Sequence, residues 1–120
     1  MRTYIDDMDQ IDEAHPLTNM GLWKHRYKDL KDTPDKEGVK LCENWIEEFA
    51  YPRKTFNRTR SSYGLKHVVE DFFQFYITNG EFIQAAINQG YRFIRQGNSP
   101  NAFFNMSFPP PKRYIPSKDD

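Results

Sequence analysis

Cysteine is nearly missing from this 120-residue chain: Cys42 stands alone, so no intramolecular disulfide can form. With no apolar signal segment at its start, a reducing compartment, the cytoplasm, is the expected home. No run approaches the ~20 apolar residues of a membrane span, so no membrane partner is expected. The three histidines, His15, His25 and His67, are scattered and share no metal-ligand spacing with Cys42. The acidic start, with Asp7 and Asp9, lacks the glycine and the distal glutamate of a calcium loop. The six glycines are isolated, and none belongs to a phosphate-cradling loop. His67 and Asp71, four apart, read as an exposed pair, and Ser61 and Ser62 have no nucleophile-elbow context. The expectation is a chain without cofactor, without metal and without catalytic machinery.

Net charge is missing too, since 17 basic residues meet 17 acidic ones, but the halves differ. Residues 1–50 hold 7 Lys and Arg against 12 Asp and Glu, a balance of −5. Residues 51–120 hold 10 against 5, a balance of +5. Such a split points to a charged partner or to pairing within the chain. Apolar residues make up only 38%, yet ten Phe, seven Tyr and two Trp supply large buried areas. One domain with one modest core is expected.

Three regions follow. Residues 1–17 form an acidic arm, either a short amphipathic docking segment or a flexible one. Residues 18–108 form a single globular domain, and residues 109–120 a Pro-rich, extended tail. Within the domain, residues 18–31 show helical spacing of Leu22, Trp23, Tyr27 and Leu30. A second helix over 36–49 carries Val39, Cys42, Trp45, Ile46 and Phe49 at spacings of three and four, with Thr33 as N-cap and Pro34 at its first position. A third, over 62–76, places Leu65, Val68, Val69, Phe72, Phe73 and Tyr76 on its apolar stripe. Thr78 and Glu81 then form a T-x-x-E capping box that opens a helix over 79–89, and Gly90 stops it. Alternation in YRFIR and AFFNMSF around QGNSPN predicts a β-hairpin at 91–108.

The predicted class is α+β, a small helix-rich single domain with a C-terminal β-hairpin, in an order shared with winged helix-turn-helix domains. Its expected core is Trp23, Trp45, Ile46, Phe49, Leu65, Val69, Phe72, Phe73, Phe82, Ile83, Ile87, Phe93 and Phe104.

The candidate binding residues fall in two groups. The first is the basic, aromatic run YPRKTFNRTRSSYGLK, with Arg53, Lys54, Phe56, Arg58, Arg60, Tyr63 and Lys66 and no acid among them. Arg beside aromatics suits nucleic acid, an acidic protein surface or the chain's own acidic arm. The second is the outward face of the 79–89 helix (Glu81, Gln84, Asn88, Gln89) with Arg92 and Arg95 on the hairpin. On a winged reading these would meet DNA, although the helix itself has no Lys or Arg to meet phosphates.

The segments SSYGLKHVVE, YITNGEFIQAAINQGYRF and NSPNAFFNMS, within residues 61–107, resemble a pattern in short uncharacterised proteins of phages, plasmids and other mobile elements. That resemblance implies context rather than chemistry: a non-enzymatic interaction protein that inhibits a host nucleic-acid-handling complex, as anti-CRISPR and anti-restriction proteins do. The partner would be a host protein or ribonucleoprotein. A winged helix-turn-helix DNA-binding regulator is the alternative.

Overall fold

The computed structural model describes residues 4–6 (backbone only), 11, 16–22 and 33–108. Among these residues three helices pack on one four-stranded antiparallel sheet, an α+β arrangement. In chain order the elements are β1 (Tyr4–Asp6), α1 (Lys36–Phe49), β2 (Tyr51–Asn57), α2 (Ser62–Phe73), α3 (Asn79–Asn88), β3 (Phe93–Gln96) and β4 (Phe103–Ser107). The strands lie in the order β1-β3-β4-β2. The predicted hairpin is therefore the centre of a sheet extended on both sides.

Helix α1 forms where the apolar spacing placed it, but its N-cap is Asp35, whose own side chain makes no capping bond. Thr33 and Pro34 precede the helix instead of starting it. The Asp35 N–H is taken by the Glu81 carboxylate, 3.2 Å away. Glu81 also closes the expected capping box, accepting from Thr78 N at 2.9 Å while Glu81 N donates to Thr78 Oγ1 at 3.1 Å. One carboxylate thus joins the starts of α1 and α3. It is buried, 5% exposed, so its placement on an outward face is corrected. Gly38 is what makes room, because a Cβ there would run into the Glu81 carboxylate.

Helix α2 ends at Phe73, one turn sooner than its apolar stripe suggested, because Gln74 takes a left-handed conformation at φ 54°. Phe72 is 44% exposed, against its expected place in the core, although it still meets Phe49 at a ring distance of 5.3 Å. Phe49, Phe73 and Ile87 are partly buried at the margin. At the start of α2, Ser62 is fully buried and exchanges two bonds with Ala102, donating through its N–H at 2.7 Å and accepting at its hydroxyl at 2.9 Å. This pins α2 to the residue before β4.

The core runs from α1 through α3 to the sheet along Trp45, Phe82 and Phe104, with ring centroids 6.3 and 5.7 Å apart. Leu65, Val69, Ile83 and Phe93 complete it as expected, and Ile77, Ala85, Ala86 and Met106 join them. Edge-to-face and tilted aromatic pairs each add about 0.5–1.5 kcal/mol beyond area burial. Trp23 lies outside the described residues, as does the 109–120 tail.

Two expectations about the first part of the chain are revised. Of the helix expected over 18–31, residues 23–31 lie outside the described residues, and residues 18–22 are not helical: Thr18 and Gly21 bridge each other in a tight turn, and Gly21 has φ 118°. This turn sits on the start of α3, where Gly80 N donates to Asn19 O at 3.2 Å and Thr78 Oγ1 to Asn19 Oδ1 at 2.9 Å. Residues 4–6 of the acidic arm form a strand rather than a helical segment, antiparallel to β3 and at the sheet edge opposite β2.

Replacing Glu81 by Ala should lower stability by about 1–3 kcal/mol, the cost of leaving two backbone donors without a partner. Gly38→Ala should act in the same direction by displacing that carboxylate. Urea-denaturation midpoints at neutral pH measure both.

Candidate functional site: a basic bulge and an aromatic cleft

Strand β2 begins in register with β4 at Tyr51 and Pro52, which face Ser107 and Met106, and returns to register at Asn57, which faces Phe104. Between those points Arg53, Lys54, Thr55 and Phe56 oppose Asn105 alone, so the chain must bow away from the sheet. The first part of the basic run, Tyr51–Asn57, is thus a bulged edge strand. Arg53, Lys54 and Thr55 are exposed, and Phe56 is half-buried. Arg53 donates to Thr55 Oγ1 from Nε at 3.2 Å and from Nη2 at 2.9 Å, which stiffens the tip.

Asn57 holds the base of the bulge. Its Nδ2 donates to Met106 O at 3.0 Å, and its Oδ1 accepts from Thr59 N at 3.1 Å and Thr59 Oγ1 at 2.7 Å. The same turn presents Arg58, exposed, and Arg60, half-buried against Gly64. A chain of cations therefore runs from the bulge tip to the start of α2.

Two of the predicted cationic contacts turn inward instead. Lys66 is 5% exposed, and its Nζ pairs with Glu70 Oε1 at 3.1 Å. Arg95 is 5% exposed and donates from Nη2 to Ser99 O at 2.6 Å, and burial lowers its guanidinium pKa below the usual arginine range. Both are half-aliphatic side chains on the inner sides of their elements, with buried stems and partnered heads. Arg92 is exposed at the start of β3, with its N–H bonded to Asn105 Oδ1 at 2.8 Å. Gln84 and Asn88 form a separate group: Gln84 donates to Asn88 Oδ1 at 2.9 Å, and Asn88 donates to Glu43 Oε2 on α1 at 2.7 Å. They line a cleft of about 460 Å³ between α1 and α3 rather than joining the basic strip.

His67, paired with Asp71 in the sequence reading, instead places Nδ1 3.2 Å from Glu70 Oε1 and its ring edge-on to Tyr63 at 4.8 Å. Cys42 is fully buried, and burial, with the Glu81 and Glu43 carboxylates behind it, pushes its thiol pKa up. No cluster of three or more His, Cys, Asp or Glu side chains suited to a metal ion occurs among the described residues. None of their helices is long and apolar enough to cross a membrane.

The feature that sequence reasoning missed is a cleft of about 350 Å³ where Tyr63 of α2, Tyr76 after it and Asn79 of α3 meet residues 19–20 and the 100–101 turn. Tyr76 had been assigned to an apolar stripe, yet it is 69% exposed, and Tyr63 is 51% exposed. Tyr63 and Lys66 were already among the candidate binding residues of the basic run, but nothing in the sequence joined them to Tyr76 and Asn79.

Comparison with protein-family models, with curated proteins and with solved structures gives no match to this chain.

Asn57→Ala should cost about 1–3 kcal/mol and loosen residues 53–59, seen as faster amide exchange confined to that segment. Cys42 should resist thiol reagents in the folded chain and react only on unfolding. Because its folded pKa lies above the unfolded value of 9.0, ionisation favours the unfolded chain. Its stabilising contribution is complete below pH 9.0 and is lost as pH rises beyond it.

Proposed function

We propose that this chain is a non-enzymatic interaction protein that acts in the cytoplasm. In this reading its basic bulge docks on an anionic surface of a host nucleic-acid-handling complex and blocks it stoichiometrically. The observation that carries the reading is the bulge itself: Arg53 and Lys54 are held out from an edge strand, with Arg58 and Arg60 continuing the same charge. Edge strands invite pairing with other chains, and cationic bulges blunt that tendency while presenting charge to a chosen partner. Electrostatic complementarity of this kind sets partner choice and association rate. The host context is part of the proposal and extends the expectation, read from residues 61–107, of a mobile-element protein.

A winged helix-turn-helix DNA binder is the second reading, favoured by the element order and by the pairing of β2 with β4. Against it stands the start of α3, the part of a recognition helix that meets base edges. Asn79, Gly80, Glu81, Phe82 and Ile83 are all buried, and residues 18–21 lie over that end. A Cβ on Gly80 would overlap the Thr18 carbonyl, so the contact is close.

Expression of the chain in bacteria that carry a CRISPR or restriction system should raise plating by a targeted phage. The double variant Arg53→Glu with Lys54→Glu should lose that effect with its melting temperature unchanged, since both side chains are exposed. Unaltered plating across such systems would count against the inhibitor reading. Salt-dependent retardation of duplex DNA, weakening by orders of magnitude between about 50 and 200 mM salt, would support the second reading instead.

A further inference from the structure

The cleft between α2 and the start of α3 has a composition that the basic bulge does not explain. Two large rings stand in water beside it, Tyr63 at 51% and Tyr76 at 69% exposure. Between them lies the Lys66 ammonium, 5.3 Å from the Tyr63 ring centroid and 5.0 Å from that of Tyr76. Lys66 is buried and already neutralised by Glu70 at 3.1 Å. The ammonium therefore serves as a cation–π pin that orders both rings, while the cleft carries little net charge.

This arrangement limits the occupant. A free anion would have to compete with Glu70 for Lys66, and a cation would meet the ammonium. A neutral, planar group with polar edges meets neither obstacle: its face can stack on the exposed rings and its edge can reach amides. Those amides are Asn19 and Asn101, both half-buried, and Asn79 stands beside them with its Oδ1 buried. Asn79 is 5% exposed and lines the cleft. Its Nδ2 donates to Met20 O at 2.9 Å, Asn101 Oδ1 at 2.9 Å and Pro100 O at 3.3 Å, while its Oδ1 has no hydrogen-bond partner. At about 350 Å³ the cleft lies near the lower end of ligand-site volumes, which suits one small ring system rather than a large cofactor.

The Arg60 stem lies against Gly64, the residue after Tyr63, and continues the cations that begin at Arg53. A basic track beside exposed aromatic rings is the composition with which proteins hold single-stranded nucleic acid, cations on the backbone and rings under the bases.

We propose that this cleft is a stacking site for an unpaired base of single-stranded nucleic acid, with the Arg58–Arg60 turn along its phosphates. The tyrosines are no part of the bulge, although the Arg58–Arg60 turn adjoins both, so variants at Tyr63 and Tyr76 test this site whether or not the bulge acts as an inhibitor. Fluorescence anisotropy of a labelled oligothymidine strand, titrated with the full chain, tests the site. Tyr63→Ala and Tyr76→Ala should each raise Kd roughly 5- to 150-fold, the range for losing one base–aromatic stack. Tyr63→Phe and Tyr76→Phe should bind nearly as well as the parent. An abasic strand of equal length should bind as weakly as the alanine variants. The unchanged melting temperature expected of these exposed positions guards against misfolding as the cause. The proposal is overturned if the chain binds no single strand, if the alanine variants keep the parental Kd, or if the abasic strand binds equally well. Tighter binding of duplex than of single strand would also overturn it. Loss of phage protection by the Arg53→Glu, Lys54→Glu variant has no bearing on these outcomes, so the two readings fail separately.

Discussion

The Glu81 carboxylate is the point on which the helical layer depends. It caps α3 from within through Thr78 N and reaches the Asp35 N–H at the start of α1, a separation of 46 residues along the chain. A buried carboxylate is costly unless its oxygens are satisfied, and here backbone donors at two helix starts satisfy them where the helix dipoles also favour negative charge. Gly38 clears the approach, and Trp45 and Phe82 then pack across the same α1–α3 seam. The sheet follows from that seam, because Phe82 carries the aromatic contact onward to Phe104 of β4.

The surface features are consequences of how that body is closed. Strand β2 needs only its ends in register with β4, so the residues between them are free to bow out, and Asn57 supplies the bonds that the ladder loses there. At the other side, the turn over residues 18–21 covers the start of α3, and Asn79 ties that start to both the turn and the 100–101 loop. The end of the molecule that a DNA-reading winged helix leaves open is therefore filled. Beside it Tyr63 and Tyr76 remain exposed.

Much of the fold was legible. The spacing of Val39, Cys42, Trp45, Ile46 and Phe49 located α1, and the T-x-x-E box located the start of α3, because both signals are local and repeat with the helical period. Alternation in AFFNMSF located β4, and Phe104 took its expected place in the core. The site was less legible. Lys66, Arg95 and Glu81 are charged residues that sequence rules place outside, and all three lie within the body. Lys66 found its carboxylate four residues away on the same helix, but Glu81 found a donor on a different one. Charge alone does not tell a binding residue from a satisfied buried one, because only packing decides whether the head group meets water or a partner.

By itself the sequence determined the helix periods, the capping box, the turn-rich hairpin and the location of positive charge in residues 51–66, since each depends on neighbours within a few positions. The tertiary structure decided that this charge would stand on a bulge, that the acidic arm's strand would take the far sheet edge, and that two tyrosines 13 positions apart would flank one cleft. Those outcomes depend on strand register and on where α2 stops. Register is set by cross-strand pairing across about 50 residues, and the stop by the left-handed turn at Gln74, neither of which leaves a periodic mark in the chain.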